Sequence, residues 1–365
     1  MIEQVMKNPE QRGQVDPSNK VRGKHENNSE FFILHTEIAE ILAKDTFTPQ
    51  ELIAIIQGKR TGEPVVFNQI ISSELDVDRL DYLLRDSHHC GVAYGLFDLN
   101  RLLNVLVVKD DMLYVRSRGR HAVEGYLLAR YQMFNQVYVH QVALGFELLL
   151  QKAYECLMNA TNDTFPTLRE IQANPNDFLD FDDIFVMNII KQVAKGSISQ
   201  HIPDFGKQLC ERIYRRKPLK PASPYSCFES PDEQKTSQTR EVFLGINNFF
   251  QDEETINKIA EAKGVSKEWI IKGETSSEIM KLHPRFGNDV EVIEEDKAEY
   301  DDSIWLFDMN KNQKQSLSVD KSSIMRQLAG RTLTTICVYT LPELKDDVHR
   351  DITKKILRFS ELFKD

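Results

Sequence analysis

No two cysteines in this sequence are spaced C-x-x-C; the five present, Cys90, Cys156, Cys210, Cys227 and Cys337, are scattered singly. That pattern excludes a disulfide framework and a zinc ribbon, and it points to a reducing cytoplasm. No apolar run approaches the ~20 residues that span a bilayer, so no membrane is expected. The opening segment MIEQVMKNPEQRGQ is too polar for a secretory signal. There is no phosphate loop, dinucleotide fingerprint or internal repeat. Positive charge is in deficit, with 46 Lys and Arg against 56 Asp and Glu, a net of −10. A general nucleic-acid binder would need the opposite balance, although a local basic patch is compatible with it. None of the nine histidines precedes an aspartate.

What is present fits an ordinary globular chain: 365 residues, 41% hydrophobic and 28% charged. That length suits one large domain or two ordinary ones. The densest chemistry lies at residues 73–89, SELDVDRLDYLLRDSHH. On a helix, Asp78, Tyr82 and Asp86 fall at i, i+4 and i+8 and share a face, flanked by Arg79 and Arg85. Leu80, Leu83 and Leu84 fall opposite and are expected in a core. Spacing alone leaves two readings, a surface helix laced with ion pairs and a substrate-binding face. His88 and His89 follow at the helix end, where cationic side chains are at home.

The stretch DVDRLDYLLRDSHHCGVAYGLFDLNRLL resembles the signature segment of the HD-superfamily phosphohydrolases, and more narrowly the dNTP triphosphohydrolase branch with its dGTPase-like and sterile-alpha-motif/HD members. The resemblance implies a mainly α fold: an HD-type helical core over residues 1–218, incomplete at its N-terminus. After it come a linker or long loop at 219–240, rich in Pro, Ser and charge, and a smaller α+β portion at 241–365. The implied activity is hydrolysis of a deoxynucleoside triphosphate to deoxynucleoside and triphosphate.

Family members hold a divalent metal (Mg, Mn, Fe or Zn) with a His, a His-Asp doublet and a distant Asp. By resemblance Asp78 is that last ligand. The opening Met1-Ile2-Glu3-Gln4-Val5-Met6 is similar to the segment that follows the doublet motif, which places the start just after it and leaves three of four ligands outside the sequence. One carboxylate does not hold a catalytic metal alone. The chain as written is therefore expected to be catalytically incomplete. A non-catalytic nucleotide-binding fragment, or one completed by a polypeptide carrying the missing motif, is the alternative.

Other roles follow from the same likeness. Lys24-His25-Glu26-Asn27-Asn28-Ser29 resembles an H-E-x-x-S motif in which His25 and Glu26 assist proton transfer or position water; its plain alternative is a polar loop with Ser29 capping the next helix. Arg79 would meet the triphosphate, and Tyr82 and Asp86 the sugar. Arg130 and His140 are polar candidates on a long helix expected over 122–154; a lone His on such a face is more often a hydrogen-bonded core residue. Asp98 and Arg101 match a regulatory nucleotide site between subunits, or else a helix start capped by Asp98. Arg216, in a basic cluster with Arg212, Arg215, Lys217 and Lys220, is a further regulatory candidate. Deoxynucleoside triphosphates and a second copy of the chain are the implied partners.

Local signals complete the reading. Thr48-Pro49-Gln50-Glu51 reads as a capped helix start, and LVVKDDMLYV at 106–115 as a hairpin. The acidic stretch DFLDFDD at 177–183 reads as a partly buried helix entry. Beyond 240, helices are expected at 253–262, 267–271 and 346–362, and strands at 290–294, 304–307 and 333–339.

Overall fold

The computed structural model describes residues 25–44, 48–57, 65–160, 174, 176–198, 202–229, 237–278 and 303–362. The fold is mainly α with a smaller β portion. Along the chain the helices are α1 His25–His35, α2 Glu37–Leu42, α3 Pro49–Ile56, α4 Val65–Ile71, α5 Val77–Cys90 and α6 Leu99–Val105. The hairpin β1 Leu106–Lys109 and β2 Met112–Arg116 follows, then α7 Arg120–Met133 and α8 Gln141–Ala160. Next come α9 Asp177–Asp180, α10 Asp183–Ala194, α11 Asp204–Tyr214, β3 Lys220–Pro221 and β4 Tyr225–Glu229. The remainder is α12 Ser237–Gln251, α13 Glu253–Glu261, β5 Ile271–Glu278, β6 Trp305–Asp308, β7 Gln313–Ser316, α14 Met325–Leu328, β8 Thr332–Thr340 and α15 Lys345–Leu362.

The chain forms two units, each discontinuous in sequence: residues 1–61 with 145–218, and residues 62–144 with 219–365. In the first, α3 opens with a capping box in which Thr48 and Glu51 satisfy each other's backbone donors. Gln57 donates to Glu30 at 2.9 Å, and Phe32 stacks on Phe178 at 4.6 Å. Leu149, Leu157, Ile190 and Leu209 are buried, and α10 packs on α11.

The second unit carries two sheets. One has the order β1-β2-β6-β7. Its β1–β2 hairpin turns through Asp110 and Asp111, both at positive φ (48° and 58°), a conformation Asp tolerates better than most residues. The β2–β6 pair is parallel, with Val115 opposite Leu306. The other sheet centres on β8, which pairs antiparallel with β3, β4 and β5. Beneath the first sheet lies a core of Leu80, Leu83, Leu102, Val105, Val115, Val123, Tyr126, Leu127, Met133, Leu306 and Leu317. This core fixes α5 and α7, the helices that carry the candidate site.

Five expectations change. The region read as one helix over 122–154 is two, because a π turn at Phe134–Tyr138 interrupts it; such turns re-aim side chains and recur at functional sites. Residues 220–221 and 225–229, read as linker, are strands, since their backbone pairs with β8 over a hundred residues later. Helix α1 runs through Ser29 rather than starting after it. Residues 267–271 hold one 3-10 turn, Lys267–Trp269, before Ile271 joins β8. Leu84 is half-buried while Leu80 and Leu83 are buried, because α5 turns its seam slightly toward Leu80. The strand expected at 290–294 lies outside the described residues.

The segment 317–325 is pinned to α7 by polar contacts. Arg120 Nη1 meets Asp320 Oδ2 at 3.1 Å, and Ser323 Oγ donates to the buried Glu124 at 2.6 Å. Burial by itself would raise the Asp320 carboxyl, but hydrogen bonds from Ser322 and Arg120 outweigh it and hold it below the ordinary range. A depressed carboxylate contributes stability that is full at neutral pH and is lost as pH falls through the folded value. Asp320→Asn is therefore expected to destabilise at pH 7 and to flatten the acid limb of the stability curve. Urea midpoints between pH 7 and pH 3 measure this; an acid limb as steep as the parent's would remove Asp320 from the account.

Candidate functional site

Helix α5 begins at a buried turn. Asp76, 5% exposed, is its N-cap and accepts from the backbone N–H of Arg79 at 2.8 Å. The same carboxylate takes Arg79 Nη1 at 2.8 Å, and the Ser73 carbonyl accepts from that nitrogen too. One residue-pair earlier, Glu74, 2% exposed, takes Arg130 Nη1 of α7 at 2.7 Å, and its carbonyl accepts from Tyr126 Oη at 2.9 Å. Two guanidiniums are thus each held by a buried acid. In these contacts both donate through Nη1, and a planar guanidinium carries further N–H donors in the same fork. Burial would lower the pKa of Arg79, but Asp76 and Glu74 outweigh that and keep it above the ordinary guanidinium value.

One turn along α5, Tyr82 is half-buried. Burial raises its pKa, while Arg130 and Arg79 both pull it down, so both cations lie within electrostatic reach of the phenol. Its ring meets Tyr138 edge-on, with centroids 6.0 Å apart. Tyr138 Oη donates to Asp86 Oδ2 at 2.9 Å, and burial with this bond raises the phenol's pKa. The π turn is what brings Tyr138 to Asp86. Behind α5, the fully buried Ser87 donates to the Val92 carbonyl at 2.6 Å and accepts from Gly95 N–H at 3.3 Å. A Cβ on Gly95 would sit 2.4 Å from the Leu83 carbonyl, so only glycine lets the loop close this tightly.

The structure therefore brings Arg79, Tyr82, Asp86 and Arg130 to one face. It does not bring His140 there as a core contact: His140 is exposed, and its Nδ1 accepts from Val142 N–H at 3.3 Å at the start of α8, a capping role. Asp78 is exposed in the first turn of α5. Among the described residues no group of three or more His, Cys, Asp or Glu is placed to hold a metal ion; the side chains of His25 and Glu26, at the start of α1, lie outside the described residues. The described residues thus do not by themselves make up a metal site. Asp98 caps α6 through Arg101 N–H at 2.8 Å, and Arg101 Nη2 reaches the Arg118 carbonyl at 3.5 Å. Arg216 belongs to the other unit, where it follows the C-cap of α11 at positive φ (53°). His88 and His89 are exposed in the last turn of α5.

Sequence reasoning missed Glu74, Asp76 and Tyr138 as site residues. Asp76 carried a signal, an Asp directly before a helical period. The others are defined by contacts 52 or more residues away, which local spacing does not show. Among the described residues no helix is long and apolar enough to cross a membrane.

Residues 97–272 match the model of the family described as the HD associated region. The chain is 41% identical over 118 residues to the uncharacterized protein YwfO of Bacillus subtilis, covering 32% of this chain and 27% of that one. It is 27% identical over 140 residues to the deoxynucleoside triphosphate triphosphohydrolase SAMHD1 homolog of Dictyostelium discoideum, covering 37% of this chain and 26% of that one. The chain thus matches about a quarter of the length of these curated relatives. The crystal structure of a phosphohydrolase from Bacteroides thetaiotaomicron has a TM-score of 0.54 at 19% identity, covering 87% of this chain and 75% of that one, a likeness of fold. The family-model match spans just under half of this chain, and the relatives are matched over parts of their length.

Proposed function

We propose that the α5–α7 face is the nucleotide-binding half of an HD-type phosphohydrolase site and takes a deoxynucleoside triphosphate. The observation that carries this is the pair of guanidiniums, Arg79 and Arg130, each clasped by a buried carboxylate. A clasped guanidinium is pre-oriented, so it loses little entropy on meeting a phosphate. Tyr82 and Tyr138 offer aromatic surface to a sugar, and Asp86, already holding the Tyr138 hydroxyl, accepts a hydrogen bond from a sugar hydroxyl. Asp78 and, by resemblance, His25 and Glu26 are the catalytic side of the proposal, with a divalent metal as cofactor and a homo-oligomer as the assembly. The sequence contains no His-Asp doublet. For that reason we also propose that the chain binds rather than turns over nucleotide by itself, and that a polypeptide supplying the doublet would complete it.

The purified chain Met1–Asp365 should melt at a higher temperature with saturating dNTP. The gain is about 2.7 kcal/mol at a hundred times Kd. Tyr82→Ala should abolish the shift while leaving the ligand-free melting temperature within a few degrees. No shift with any of the four dNTPs defeats the binding reading. Rapid turnover of dGTP by this chain, lost in Asp78→Ala, defeats the claim of incompleteness and leaves the binding reading standing.

A further inference from the structure

We propose that the exposed apolar face formed by α9 and α10 is a docking surface for a basic amphipathic helix of a partner protein. Leu179 is 78% exposed, Ile184 76% and Met187 45%. Ile184 and Met187 stand at i and i+3 on α10, so their side chains are neighbours. Leu179 lies on the turn just before. These are not residues of a frayed tip. Asp182 caps α10 through Phe185 N–H at 2.7 Å, Phe181 is buried and its ring meets Phe185 at 5.5 Å, and Phe178 stacks on Phe32. The inward side of α10 is already filled by Val186, Ile189, Ile190 and Val193. The outward side therefore carries large apolar groups that the fold itself does not use, on a well-anchored helix.

Charge identifies the partner. Residues 177–187, which carry the three apolar groups, hold four aspartates and no lysine or arginine, and Lys191 in the last turn of α10 is the one cation on that helix. Asp180, Asp182 and Asp183 are exposed. A second copy docking through the same face would set carboxylates against carboxylates, which disfavours it. A helix with apolar anchors at helical spacing and Lys or Arg beside them satisfies both the apolar groups and the acids. The face lies in the unit of residues 1–61 and 145–218, while the nucleotide face lies in the other, so the two are testable separately.

The probe is a short fluorescent peptide of leucine and lysine patterned as an amphipathic helix, with a leucine–glutamate peptide of the same pattern as control. The full chain should bind the lysine peptide saturably and with marked salt dependence, and should not bind the glutamate peptide. The double variant L179S/I184S should bind about tenfold more weakly, with an unchanged melting temperature because both side chains are on the surface. The charge variant D180N/D183N, which spares the cap Asp182, should weaken binding as well. Equal binding by the parent and both variants overturns the proposal. So does a parent that runs as an oligomer which L179S/I184S dissociates, because the face would then be a contact between copies of this chain.

Discussion

Arg130→Ala is expected to cost the fold about 3–5 kcal/mol, because it strands the Glu74 carboxylate. Glu74 is 2% exposed and Arg130 21%. An acid at that depth has little water to turn to once its cation is gone. Surface pairs behave differently: Lys152 and Glu155 are 41% and 45% exposed, and Lys152→Ala should change stability by no more than about 1 kcal/mol. The double variant Glu74→Ala/Arg130→Ala should be milder than Arg130→Ala alone, since no buried charge is left over. Urea unfolding of the parent and these variants measures all of it. If Arg130→Ala costs no more than Lys152→Ala, the clasp contributes nothing and the pre-orientation of Arg130 goes with it. If the proposed nucleotide site is right, the stability cost and a loss of dNTP binding share one origin, because the same ion pair anchors α7 to the start of α5 and holds the Arg130 guanidinium.

The second large effect belongs to Leu83→Ala, at about 2–5 kcal/mol. Leu83 has no exposed surface and sits in the cluster with Leu102, Val105, Tyr126 and Met133. Its neighbour Leu84 is only half-buried, so Leu84→Ala should cost clearly less. Equal costs would mean that α5 is rotated from the position described. Leu83 also follows Tyr82 directly, with its carbonyl packed under Gly95. Loosening that packing should therefore weaken the dNTP-dependent melting shift only in proportion to the lost fold, whereas Tyr82→Ala should remove the shift without unfolding the chain.

Much of the fold is legible in the sequence wherever one local rule decides. The 3.6-residue period of 77–90 marks α5, Thr48 with Glu51 marks the start of α3, and Asp110-Asp111 between β-forming residues marks the hairpin. The rest is decided by distant partners. The π turn at Phe134–Tyr138 interrupts a segment whose apolar spacing is helical throughout; its product is a hydrogen bond from Tyr138 to Asp86, which no window of local sequence contains. Residues 225–229 look like linker because their strand character comes from pairing with residues 332–336. The candidate site divides the same way. Helical spacing puts Tyr82 and Asp86 on one face with Arg79 at its edge, and Arg130 on a helix. That Glu74 and Asp76 clasp the two arginines is a tertiary fact. His140 shows the limit of spacing: it falls on the right stripe, but the break before α8 turns it into a cap.

The parallel pairing of β2 with β6 joins residues 191 apart, and the bond from Arg120 to Asp320 joins residues 200 apart. At ~5–20 residues per second of synthesis, roughly 10–40 s separate the emergence of Arg120 from that of its partner. For that interval a nascent chain carries α7 with its Asp320 and Ser323 contacts unmade and β2 with one edge open. An open edge beside Val115 is a template for other strands. Ribosome-bound chains that end before residue 305 should therefore engage chaperones more strongly than chains released at full length, and the α5–α7 face should be among the last parts of its unit to become rigid.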